Sequence, residues 1–206
     1  MKGYLITFEG IDGSGKSTQA DLLAKRLISC NRSVHLLSEP GGTAIGESIR
    51  SILLDTSNSS MSFHTELFLY LAARSQITST VIKPALHRGE DVIMDRYIDS
   101  TTAYQGYARG LGIYEMIQLN LIATGGLIPD ITFIVDCAPD VAYQRISSEP
   151  DRLESEGIGF MRKVREGFIK LHEYDKQRII LCNGNRSIDE IEQDIAYHIK
   201  NKLMIC

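Results

Sequence analysis

Residues 8–23 read FEGIDGSGKSTQADLL, and the spacing Gly10-x-x-x-x-Gly15-Lys16-Ser17 inside them constrains this chain more than any other feature. A β-branched apolar run ends at Glu9, glycines follow at 10, 13 and 15, and a helical pattern opens at Lys16. Glycine adopts backbone angles that other residues resist, so successive N–H groups can turn inward around a phosphate. The helix that follows aims its positive dipole end at the same place. Lys16 is then placed to reach β- and γ-phosphates, and the Ser17 hydroxyl to join a Mg²⁺ shell. Strand, glycine loop and helix in this order are the context that a phosphate-binding loop (P-loop) requires.

The remaining chain supplies the rest of such a fold. Short apolar runs at 4–9, 33–39, 91–95, 131–137 and 178–182 predict five strands, several of them buried on both faces. Helical patterns at 16–29, 44–54, 64–87, 113–124, 139–147, 155–175 and 187–203 separate them. Ser187-Ile-Asp-Glu190 opens the last as a capping box. Alternation of this kind predicts a parallel sheet with helices on both faces, a three-layer α/β/α fold. Ligands gather at the carboxyl ends of the strands in such sheets, and Gly10, Glu39, Asp95 and Asp136 lie at or near those ends.

Composition narrows the function classes. Of 206 residues, 43% are hydrophobic and 23% charged, with a net charge of −4, so neither a nucleic-acid coat nor a membrane-surface binder is expected. A length of 206 predicts a single domain, 1–206. Cys30, Cys137, Cys182 and Cys206 have no metal-ligand spacing and read as thiols in a reducing compartment, which with no signal-like or membrane-length run predicts a cytoplasmic protein. Asp95 ends the third apolar run, where an aspartate can hold Mg²⁺ or close a strand-end salt bridge. The Asn-Lys-x-Asp guanine signature of GTPases is missing; NGNRS follows the fifth run instead.

Five segments appear in order: FEGIDGSGKSTQ, EPGGTAIGESIR, LYLAARSQ, DRYIDSTTAYQGYARG and PDITFIVDCAPDVAYQRI. Together they resemble the thymidylate kinase family of bacterial type, from residue 4 to about 203, most specifically at residues 95–106. The resemblance implies a P-loop kinase fold with a five-stranded parallel sheet and a mobile lid. It also implies ATP as donor, Mg²⁺, phosphorylation of dTMP to dTDP on the way to dTTP, and a homodimer, with the helix at 64–87 as the main contact. Gly10, Ile11, Asp12, Gly13, Ser14, Gly15, Lys16, Ser17 and Thr18 would then cradle the donor phosphates, with Ser17 and Asp95 on the metal.

The resemblance also gives the acceptor side its residues. Tyr70 and Arg74, four apart on one helix face, would stack on thymine and donate to its O4; apart from the resemblance the pair reads as an ordinary amphipathic helix face. Gln105 would match the N3–H and O4 edge, with Ser100 and Thr101 beside it; apart from the resemblance, Thr101 and Gln105 read as solvated loop residues. Asp12 would face the sugar 3′-hydroxyl, Glu39 would organise the site, and Arg50 and Arg96 would clamp the acceptor phosphate.

Catalysis would be alignment and charge stabilisation, since a nucleotide monophosphate needs no strong base and the five histidines are scattered. The P-loop interior carries no arginine, so the cation on the moving phosphoryl group is expected from the lid, QRISSEPDRLESEG at about 144–157. Arg152 is expected to join Lys16 and Arg96 in catalysis, and Arg145 to cover adenine.

Overall fold

The computed structural model describes residues 3–146 and 151–205. Strands β1 (Leu5–Glu9), β2 (Val34–Ser38), β3 (Asp91–Asp95), β4 (Ile131–Asp136) and β5 (Ile179–Asn183) fall within two residues of the predicted runs. They pair in parallel in the order β2-β3-β1-β4-β5. The three inner strands are almost wholly buried, while the edge strands β2 and β5 expose part of each face.

Alternate residues of β1 feed opposite cores, as the pleat requires. Ile6 and Phe8 pack with Leu23 and Leu27 of α1 (Lys16–Ser29) and Ile191, Ile195 and Ile199 of α9 (Ile188–Leu203). Leu5 packs on the other side with Ile77 of α3 (Phe63–Ile77) and Ile82, while Ile134 of β4 meets Val164 and Phe168 of α8 (Ile158–Tyr174). Helices α2 (Ala44–Leu54), α6 (Ile113–Thr124) and α7 (Pro139–Arg145) complete the helical layers, with the shorter α4 (Lys83–His87) and α5 (Ile98–Thr101) between α3 and α6. The predicted capping box is present: Ser187 Oγ accepts from Glu190 N, and Glu190 Oε2 accepts from Ser187 N.

Three local expectations are corrected. The single helix expected over 64–87 contains a widened π-helical turn at Thr78–Ile82 before α4 (Lys83–His87). Pro84 has no N–H and would crowd the carbonyl of Thr80, and widening the preceding turn relieves this. The stretch around Thr101 and Gln105, where no helical pattern was read, is helical, as α5 (Ile98–Thr101) followed by a π-helical segment Thr102–Ala108. Cys137 and Cys182 are buried thiols, but Cys30 is disulfide-bonded, which the spacing of the cysteines did not indicate. Among the described residues no helix is long and apolar enough to cross a membrane.

Candidate active site

The chain leaves β1 through Gly10 (φ 140°), Gly13 (φ 76°) and Gly15 (φ 97°) and enters α1 at Lys16. A β-carbon on Gly13 would stand 2.1 Å from the Ala142 carbonyl oxygen, so α7 closes one side of the loop. No side chain caps α1, and its first turn holds no acid; α2, α3 and α9 are capped by Thr43, Ser62 and Ser187. The first N–H groups of α1 are thus left for an external anion.

Strand register carries the other groups to this point. Arg96 N donates to Phe8 O at 2.9 Å, and Glu39 N to Asp95 O at 3.0 Å, so the ends of β1, β2 and β3 converge. Ser17 Oγ donates to Asp95 Oδ2 at 2.5 Å. The other carboxylate oxygen, Asp95 Oδ1, is sealed from solvent and has no partner. Among the described residues no cation pairs with Asp95, which argues against the strand-end salt bridge. An orphaned carboxylate oxygen beside a hydroxyl fits a hard divalent cation.

Asp12 Oδ1 accepts from Lys16 Nζ at 3.0 Å and from Arg96 at 2.7 Å. Burial pushes its carboxyl up, but the Arg96 and Lys16 charges outweigh burial and hold it well below the usual carboxylate range. Arg96 has φ 71°, left-handed backbone that a non-glycine residue rarely adopts, and its guanidinium also donates to Ser100 Oγ and Tyr104 Oη. Glu9, fully buried at the end of β1, accepts from Tyr97 N at 2.8 Å and Ser100 Oγ at 2.5 Å. Burial and the nearby Asp99 raise its carboxyl to about 7.

From Asp12 and Arg96 a cleft opens, lined by Glu39, Arg50, Tyr70, Arg74, Ser100, Thr101, Tyr104 and Gln105. The sequence therefore brought its acceptor-side residues to one place, and no histidine lines it. Arg50 is half-buried and donates to Pro40 O at 2.8 Å. Thr101 and Gln105 are 1% exposed, which replaces their reading as solvated loop residues.

Two arginines are engaged otherwise than expected. Every nitrogen of the buried Arg74 guanidinium is engaged within the protein: Nε and Nη2 with Glu39, Nη2 also with Tyr97 O, and Nη1 with Thr101 Oγ1 and Asn120 Oδ1. It braces the cleft wall and offers no free donor for a base. Burial of Glu39 raises its carboxyl against the pull of Arg74. Arg152 does not point at the P-loop. It is buried, donates from Nε to Leu53 O at 2.7 Å, and pairs with Glu66 at 2.7 Å. A long cation beside a buried carboxylate pairs with it before it reaches an open cleft.

Arg145, at the end of α7, lies beside the P-loop, with Gly13 O and Gly184 O at 3.4 and 3.3 Å. Residues 147–150 of the expected lid lie outside the described residues. The reading of single motifs missed Glu9, Glu66 and Asn120. Glu66 had a signal: it stands four before Tyr70 and eight before Arg74, on the same helix face.

A family model described as thymidylate kinase matches residues 8–195. A thymidylate kinase of Desulforudis audaxviator is 48% identical over 90% of this chain and 85% of its own length. One from a Sulfurihydrogenibium species is 45% identical over 98% of this chain and 100% of its own. The crystal structure of thymidylate kinase from Ehrlichia chaffeensis superposes with a TM-score of 0.81 at 33% identity, covering 97% of this chain and 100% of that one.

Proposed function

This chain belongs to the thymidylate kinase family, and from that premise we propose how its residues move the γ-phosphoryl group of ATP to dTMP, giving dTDP. The observation that carries the reading is Asp12 Oδ1. One oxygen holds Lys16 of the P-loop and Arg96 of the cleft, so the two cations meet where donor and acceptor phosphates must meet.

In this reading the N–H groups of residues 10–18 and the start of α1 wrap the donor phosphates, and Lys16 follows the moving charge. Ser17 and Asp95 would hold Mg²⁺, whose charge would offset that on the phosphates; the orphaned Asp95 Oδ1 supports this. Arg96 and Arg50 aim the acceptor phosphate, which as an anion needs no general base. Tyr70 flanks the base, Gln105 reads its edge, and Thr101 and Ser100 complete the wall. Arg74 and Glu39 act as the frame that holds Thr101. Arg145 covers adenine beside the P-loop. Arg152 reaches the phosphoryl group only if the lid releases it from Glu66.

We propose a cytoplasmic site of action from the nucleotide substrates of the family; this no longer rests on the cysteines, since Cys30 is disulfide-bonded. The oligomer we propose is a homodimer across α3, supported by the exposed Phe63 and Phe68 on α3 and Ile122 on α6.

The test mixes the protein with ATP, Mg²⁺ and each of dTMP, dUMP, dCMP, dGMP and thymidine, and measures ADP. Turnover dominated by dTMP is expected. Slow ADP release independent of acceptor would mean an ATP-driven switch and would overturn the base-edge reading.

A further inference from the structure

Glu66 is 0% exposed and receives more donors than any other carboxylate near the cleft. Gln105 Nε2 donates to its Oε1 at 2.8 Å. Arg109 contributes Nε and a terminal nitrogen at 3.3 and 3.2 Å, and Arg152 a terminal nitrogen at 2.7 Å. Arg109 is itself fixed, lying 4.5 Å from the ring centres of both Phe63 and Phe160. Two guanidinium groups on one buried carboxylate keep it ionised, and an ionised carboxylate only accepts.

A glutamine side chain can present its carbonyl or its amide nitrogen by a half-turn of the amide, and the two are nearly alike in shape. Here the chemistry of Glu66 decides: a carbonyl turned toward it would set oxygen against carboxylate. Gln105 therefore commits its nitrogen to Glu66. Its Oε1 accepts from no described protein group, is not sealed from solvent, and belongs to a side chain lining the cleft.

We propose that Glu66 is a positioning residue for base discrimination, holding the Gln105 carbonyl toward the cleft so that the site accepts a hydrogen bond from N3–H. This deepens the assignment of Gln105 to the base edge and rests on it. A thymine or uracil ring donates from N3. A cytosine ring presents a lone pair there and meets an acceptor with an acceptor.

The test compares dTMP with 5-methyl-dCMP, which keeps the methyl group and differs only at the N3 and C4 edge. Titration calorimetry gives the ratio of their Kd values for the wild-type protein, Glu66→Gln, Glu66→Asp and Gln105→Leu. In Glu66→Gln the amide at 66 can donate, Gln105 can turn over, and the ratio should fall by roughly tenfold, the worth of about one net hydrogen bond. Glu66→Asp remains an acceptor and should keep most of the wild-type ratio.

Equal loss of affinity for both nucleotides in Glu66→Gln, with a collapsed ratio in Gln105→Leu, would overturn the role of Glu66 alone. An unchanged ratio in Gln105→Leu would overturn the base-edge reading with it. Should Glu66→Gln not fold, the wild-type protein still decides. Its Gln105 side-chain amide protons, followed by NMR, should resist solvent exchange before and after dTMP binds, and fast exchange in the free protein would overturn the proposal.

Discussion

Asp95 and Glu9 stand at neighbouring strand ends yet solve the problem of a buried carboxylate differently. Asp95 keeps one oxygen without a partner, a state that a bound cation would relieve. Asp95→Asn keeps the shape and removes the charge. It should raise the Mg²⁺ concentration for half-maximal activity by roughly tenfold or more, read from a Mg²⁺ titration of the kinase assay. Glu9 is satisfied by Tyr97 N and Ser100 Oγ, but burial raises its carboxyl from 4.5 to about 7. The folded state thus binds this proton more tightly than the unfolded chain. Its contribution to stability is complete below about pH 4.5 and is lost as pH rises through about 7. Glu9→Gln should remove that part of the slope, as measured by urea unfolding between pH 5 and 8.

The glycine loop and the strand and helix it joins were largely readable from pattern, because backbone sterics and periodicity act over a few residues. The same local view does not rank the glycines. Gly13 and Gly15 both have positive φ, but a β-carbon on Gly15 meets nothing within 4 Å, whereas one on Gly13 meets the backbone of α7. Gly15→Ala should lose about 1–2 kcal/mol from backbone strain alone. Gly13→Ala should lose clearly more and should also weaken ATP binding, since α7 or the loop must move; urea unfolding and nucleotide titration check both. The stretch at 98–108 escaped a helical reading because its spacing is that of a widened turn, which the 3.6-residue template does not match.

At the scale of the molecule, the segment after α7 is tied to the body by Arg152 and by the Arg109–Glu156 pair at 2.8 Å. Closure over both nucleotides should increase hydrogen-exchange protection at 151–157, and unchanged protection would count against a lid. The exposed Phe68 ring on α3 carries a second prediction. Phe68 is 58% exposed, so Phe68→Glu should convert a dimer at micromolar concentration to a monomer with little loss of monomer stability, read by sedimentation.

The family resemblance supplied Asp12, Arg96, Tyr70 and Gln105 as site residues. Order along the chain was enough to establish the five strands, most of their helices, the phosphate loop and the place of Gly10, Glu39, Asp95 and Asp136 at or near the strand ends. Those features follow from the sterics of glycine, from side-chain periodicity and from the handedness of parallel crossovers. What the folded molecule alone decided is which partner each long polar side chain takes. Arg74 turned to Glu39 and Asn120, 35 and 46 residues away, and Arg152 to Glu66 and Leu53 O, the latter 99 residues away. Burial makes an unpaired charge or amide expensive, so these groups settle wherever the packed chain offers a complementary atom. That choice depends on every element at once, and no short stretch of sequence contains it.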